Sequence, residues 1–175
     1  MQRFLDQSRA YLMGEYLPKV RVVVAPLSEA DIWWRPAEGS NSIGNLLLHI
    51  EGNARQWIVG GVGVRQNSRD RDGEFAARET LTKQQLVDRL AASFSEIDDV
   101  LSLVTPAQLG ERRNIQGADV TVFEAIYHVV EHVSMHVGQV IQLAKWRAPG
   151  VIRLYDASST SFTPLWSPEP RRSGG

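Results

Sequence analysis

The chain of 175 residues contains no cysteine. That excludes disulfides, thiolate nucleophiles, and every zinc or iron–sulfur site built on sulfur. Any metal must be held by nitrogen and oxygen. Long apolar runs are also missing: none approaches the ~20 residues that a membrane span needs. The first residues, Met1-Gln-Arg-Phe-Leu-Asp6, bring charge at once and no secretory core. An excess of either charge is lacking too, since 19 Lys and Arg stand against 20 Asp and Glu, for a net charge of −1. Nucleic acid and anionic membrane are therefore not expected as partners, and a soluble cytoplasmic protein is expected. Histidine is scarce, with four in the whole chain.

What is present fits one globular domain. Hydrophobic residues make up 43% and charged residues 22%, and the length suffices for a real core. Four segments read as helices. The first covers residues 2–25, with Phe4, Leu5, Tyr11, Leu12, Tyr16 and Leu17 as its buried stripe and Pro18 as an expected kink or break. The second runs from about Ser42 to Val59, with Gly60, Gly61 and Gly63 expected to stop it. The third opens on the capping box Thr82-Lys-Gln-Gln85 and carries the stripe Leu86, Leu90, Phe94, Ile97, Leu101. The fourth opens on Thr121-Val-Phe-Glu124 and reaches about Trp146, before Pro149-Gly150.

The connectors are long. Residues 26–41 hold Trp33-Trp34, expected to plug one end of the bundle. Residues 60–80 read as a long loop, whose Arg69 to Glu74 run is a solvated charge cluster or a lid with anion-binding arginines. Residues 105–120 are a third connector. Helices of this length with few strand signals predict an all-α fold, a four-helix bundle with at least one crossover over residues 1–150. An extended C-terminal tail over residues 151–175 follows, frayed at its end.

The histidines are the chemical signal. His128, His132 and His136 are spaced four apart on the fourth helix, and His49 lies on the second. Residues four apart share a helix face, so an adjacent pair can close on one divalent ion. Each step turns the helix by ~40°, so His128 and His136 differ by ~80° and all three would strain to reach one ion. Spacing alone leaves open which adjacent pair binds. Trp57, eight residues past His49, either lines a pocket or packs the core. Gln139 is read as an ordinary inter-helix contact or a hydrogen bond near the site, and Gly138 as a point of close helix approach. Glu131 and Glu51 are read as surface or inter-helix charges.

The segments Ser40-Asn-Ser-Ile-Gly-Asn-Leu-Leu-Leu-His-Ile-Glu-Gly-Asn-Ala-Arg-Gln-Trp57 and His128-Val-Val-Glu-His-Val-Ser-Met-His-Val-Gly-Gln139 resemble the DinB-like, or YfiT-like, metal-binding superfamily. Trp33-Trp-Arg-Pro36 and Arg71-Asp-Gly-Glu-Phe75 resemble an uncharacterised bacterial branch of it. The resemblance spans about residues 1–147. It implies a four-helix bundle with a crossover and a divalent metal (zinc, nickel or iron) held by His49, His132 and His136. His128 matches a position that is often histidine without being a usual ligand, and is kept with Gln139 and Trp57 as a supporting or pocket residue. The resemblance further implies a metal-dependent thiol S-transferase that uses a low-molecular-weight thiol on a small-molecule substrate. A metal-dependent hydrolase, or a non-catalytic stress-response or binding protein with a structural metal, are the alternatives. Homodimerisation through a bundle face is a further expectation.

Overall fold

The computed structural model describes residues 1–156 and 163–167. Its helices are α1 (Gln2–Tyr11), α2 (Leu17–Val24), α3 (Glu29–Trp33), α4 (Ile43–Ala54), α5 (Arg71–Ala76), α6 (Lys83–Leu103) and α7 (Val122–Arg147). Both expected capping boxes form. Thr82 Oγ1 accepts from the Gln85 backbone N–H and Thr121 Oγ1 from that of Glu124, and each N3 side chain answers the cap's own N–H.

The first long helix does not break at Pro18. Between α1 and α2 the chain runs through Leu12–Tyr16 in π-helical geometry. Pro18 follows directly, and the backbone stays helical through Tyr16 and Leu17 before it. The second long helix also outruns its expected end. After α4 it continues as a π-helix over Arg55–Val62, through both Gly60 and Gly61, and stops at Gly63. Packing explains Gly61 better than termination: a Cβ there would overlap the side chain of Ile115.

α4 packs chiefly on α6 and α7, and α2 packs on the same pair. The first two long helices thus occupy opposite corners of the bundle. The connection between them is a crossover, as expected. The core fills with residues such as Leu5, Ile43, Ile50, Ile58, Phe94 and Ile97, each essentially inaccessible.

The connectors are more ordered than their composition suggests. Residues 26–41 contain α3, and residues 60–80 contain α5 instead of an unbroken loop. Residues 105–120 fold into a 3-10 turn, Pro106–Gly110, and a hairpin of β1 (Arg112–Ile115) and β2 (Ala118–Thr121). Its two-residue turn puts Gln116 and Gly117 at φ +56° and +81°. A left-handed pair is what a tight hairpin requires, but Gln-Gly is a fainter signal than Asn-Gly. Beyond α7, β3 (Tyr155–Asp156) pairs antiparallel with β4 (Thr163–Pro164). Trp166 is buried there with the Lys19 ammonium 4.3 Å from its ring centre. The expected fraying of the last residues falls outside the described ones. Trp33 is buried, donates its indole N–H to the Leu81 carbonyl and covers Gly44, in keeping with a plug. No described helix is long and apolar enough to cross a membrane.

Candidate metal centre

α4 and α7 bring three imidazoles together in the bundle interior. His49 Nε2 lies 3.1 Å from His132 Nε2, which lies 3.2 Å from His136 Nε2. The ligand atoms of all three fall within 4.8 Å of one another. An ion with bonds of 2.0–2.1 Å spaces imidazole nitrogens at about 3.0 Å (octahedral) to 3.3 Å (tetrahedral), and the two separations that involve His132 match that spacing. His128 is outside it: its ring stands beside His132, with ring centres 5.4 Å apart, as the helical geometry requires.

Two of the three histidines are supported through their other nitrogen. His136 Nδ1 is 2.7 Å from Gln139 Oε1, a contact within α7 and not between helices. His49 Nδ1 is 3.0 Å from Glu74 Oε2. A carboxylate only accepts, so Nδ1 carries the hydrogen and Nε2 keeps its lone pair for a metal. Arg69 Nη2 also lies 3.1 Å from this Nδ1, and one of its hydrogens goes to Glu74 Oε2, 2.8 Å away. Arg69 grips Glu74 by both oxygens, with Nε 2.6 Å from Oε1.

Glu74 and Arg69 belong to the run expected to be a solvated charge cluster or a lid with anion-binding arginines, and both turn inward, with side chains 9% and 5% exposed. Their inward turn comes from two polar side chains. Asn45 completes the cap of α4 with Ser42, while its amide N–H groups donate to the carbonyls of Glu74, Phe75 and Ala77. Arg35, from the Trp-Trp-Arg-Pro motif, adds a bond to the Phe75 carbonyl. Phe75 then lies against His49, ring centres 4.7 Å apart. Gln56 accepts from Arg69 and from the hairpin residue Gln116.

Gly52 leaves room for the carboxylate. A Cβ there would overlap Glu74 Oε1 and stand 3.1 Å from Arg69 Nε. Gly52→Ala is therefore expected to push Glu74 off His49 and lower zinc affinity by about 10-fold or more, without touching a ligand. Competition with a chromophoric chelator measures it. Gly138 plays no such part. It is exposed, and a Cβ would meet nothing within 4 Å, which corrects the expected close helix approach.

Glu51 is buried but faces away, accepting from Ser93 Oγ and Arg89 Nε. It is an inter-helix charge, and Glu131 is exposed at the surface. Glu51, Arg69 and Glu74 also line a groove of about 1050 Å³ on the α6 side of α4. None of the three candidate ligand histidines lines that groove. Trp57 is buried, with its ring centre 4.2 Å from that of His128.

Burial favours the neutral form of the imidazoles on α7. Burial, reinforced by the neighbouring imidazoles, lowers His132 from 6.5 to about 3. Burial also lowers His136 and His128. For Glu74 burial works upward, but hydrogen bonds from Arg69 and His49 outweigh it and the net shift is downward. All these groups have folded values below their unfolded ones. Their contribution is complete above the unfolded values and is lost as pH falls through the folded ones, for His132 between 6.5 and about 3. Urea unfolding of the metal-free protein should show a lower midpoint at about pH 4.5 than at about pH 7.5.

Comparison with known proteins agrees with this architecture. A crystal structure of a DinB-like protein from Bacillus cereus ATCC 10987 superposes with a TM-score of 0.65 at 17% identity, covering 81% of this chain and 89% of that one. At that identity the likeness speaks for the fold. No curated protein matches the chain. Residues 2–150 match the family described as "Protein of unknown function (DUF1572)". With an all-α DinB-like bundle and a match over most of its length, the chain belongs to the DUF1572 family.

Proposed function

We propose that the protein binds one divalent metal through His49, His132 and His136 and uses it on a small-molecule substrate. The observation that carries this is the gathering of three imidazoles whose ligand atoms lie within 4.8 Å of one another, with Glu74 on His49 and Gln139 on His136. Zinc, nickel and iron all suit such a set. Three neutral ligands, with Glu74 balanced by Arg69, leave the ion its full charge and room for further ligands. A bound ion of that kind acidifies a coordinated water or thiol and polarises a carbonyl.

Among reactions, thiol S-transfer with a low-molecular-weight thiol is the reading favoured here. A hydrolase would use a carboxylate beside the metal-bound water. The carboxylate nearest the imidazoles, Glu74, is already held by His49 and Arg69, and Glu51 is turned toward α6. A thiol nucleophile can be deprotonated by the metal and needs no such base.

The test is elemental analysis of the purified protein, followed by thiol-conjugation assays with and without a chelator. Stoichiometric metal and chelator-sensitive turnover support the reading. Metal without turnover across the panel supports a structural ion, and absence of metal removes both. Chelation should also lower the melting temperature, because an ion bound only by the folded state stabilises it by mass action; scanning calorimetry reads this directly.

A further inference from the structure

A metal-bound imidazole nearly always gives its second nitrogen's hydrogen to a carboxylate, carbonyl or water, which fixes its tautomer and orientation. His49 has Glu74 and His136 has Gln139. His132, which stands between them, has no such partner, and its Nδ1 is buried without a hydrogen bond. With Nε2 turned to the other two histidines, Nδ1 must carry the hydrogen, as a buried donor with no receiver.

One turn earlier on α7, His128 shows the complementary fault. Its Nε2 is also buried and unpartnered. The two ring centres are 5.4 Å apart, with planes inclined at 42°. Imidazoles joined by an N–H···N bond have centres roughly 5–5.5 Å apart, given about 3 Å between the nitrogens. The separation is therefore already correct. Only the ring torsions need to change, and for histidine the outer torsion is broad.

Two more unpartnered atoms lie alongside. Trp57 Nε1 is one, and Asn53 Oδ1, four residues earlier on the same long helix, is the other. An indole N–H can only donate and the amide oxygen can only accept. His132 Nδ1–H and Trp57 Nε1–H are donors, Asn53 Oδ1 is an acceptor, and His128 Nε2 is either one according to its tautomer. Donors and acceptors balance when His128 serves His132.

We propose that His128 is the positioning residue of His132, its Nε2 accepting the His132 Nδ1–H while His132 Nε2 faces the metal. The three imidazoles then have three different supports: a charged carboxylate, a neutral amide and a fourth imidazole. This proposal rests on the three-histidine reading of the metal centre.

The experiment compares the parent with His128→Phe, which fills the same space without an acceptor, and His128→Gln, whose carbonyl still accepts. Each is stripped of metal and titrated with zinc against a chromophoric chelator, and with cobalt(II) for its visible spectrum. The phenylalanine variant is expected to lose about 10-fold or more in zinc affinity and to shift the cobalt bands. The glutamine variant is expected to regain most of that affinity. Equal affinity and unchanged cobalt bands in the phenylalanine variant would overturn the proposal and leave the metal centre standing. A parent that binds neither zinc nor cobalt overturns both. If the phenylalanine variant does not fold, nitrogen NMR of the zinc-loaded parent decides. Coupling across a His132–His128 hydrogen bond supports the proposal, and a His132 Nδ1–H with no such coupling overturns it.

Discussion

His132→Ala is expected to abolish stoichiometric metal binding, with metal content after dialysis falling from near one ion per chain to background. The reason is its central place. Its Nε2 is the atom within 3.2 Å of both other ligand nitrogens, so removing it leaves His49 and His136 without the link between them. Two imidazoles from separate helices hold an ion far more weakly than three. The metal-free fold should tolerate the change better than an ordinary core truncation. The lost ring brings an unpartnered buried nitrogen with it, and a chain freed of that atom recovers part of the cost of the cavity. A variant that keeps a full complement of metal would sink the assignment of His132 as a ligand. Elemental analysis reads the metal, and urea unfolding in chelator reads the fold.

The second large effect is predicted at Glu74, which is not a ligand. Glu74→Ala leaves the Arg69 guanidinium, whose side chain is only 5% exposed, without its counter-charge. Breaking a buried pair from one side costs about 3–5 kcal/mol, because the remaining charge stays desolvated. The same substitution frees His49 Nδ1 from its acceptor, so zinc affinity should also fall, by about 10- to 100-fold. Removing both charges separates the two roles. Arg69→Met with Glu74→Leu should recover much of the stability, since no lone charge is buried, while zinc affinity stays low. Urea unfolding of the metal-free proteins measures the first quantity and chelator competition the second. If Glu74→Ala unfolds at the parent's urea concentration, the pair is not the buried ion pair described here.

The bundle was legible because its signals are local. Capping boxes at Thr82 and Thr121 and apolar stripes at helical spacing need no tertiary information to be read. The three ligand histidines were partly legible. Periodicity supplied a shared face on α7, but choosing His132 with His136 over His128 with His132 needed the likeness to a known family. Glu74 was not legible. A run of Arg, Asp and Glu after a glycine-rich stretch looks the same whether it faces water or turns inward. The turn is decided by Asn45 and Arg35, some thirty to forty residues away, binding backbone carbonyls. The π-helical segments were hidden for a similar reason. In Arg55–Val62 it is Ile115, far along the chain, that packs against Gly61, and no local pattern records that. At Gly138 the lack of a side chain suggested close packing, yet the residue faces open space.

The chain has no cysteine, and so no disulfide to tie distant segments together. His49 and His132 are 83 residues apart. An ion shared between them would act as a cross-link, closing a loop that takes in α5, α6 and the hairpin. Clips that close long loops restrict a chain's freedom more than those that close short ones. The same three side chains that could serve chemistry would then also take the place of a disulfide, in a form that a chelator can open and a metal can close again.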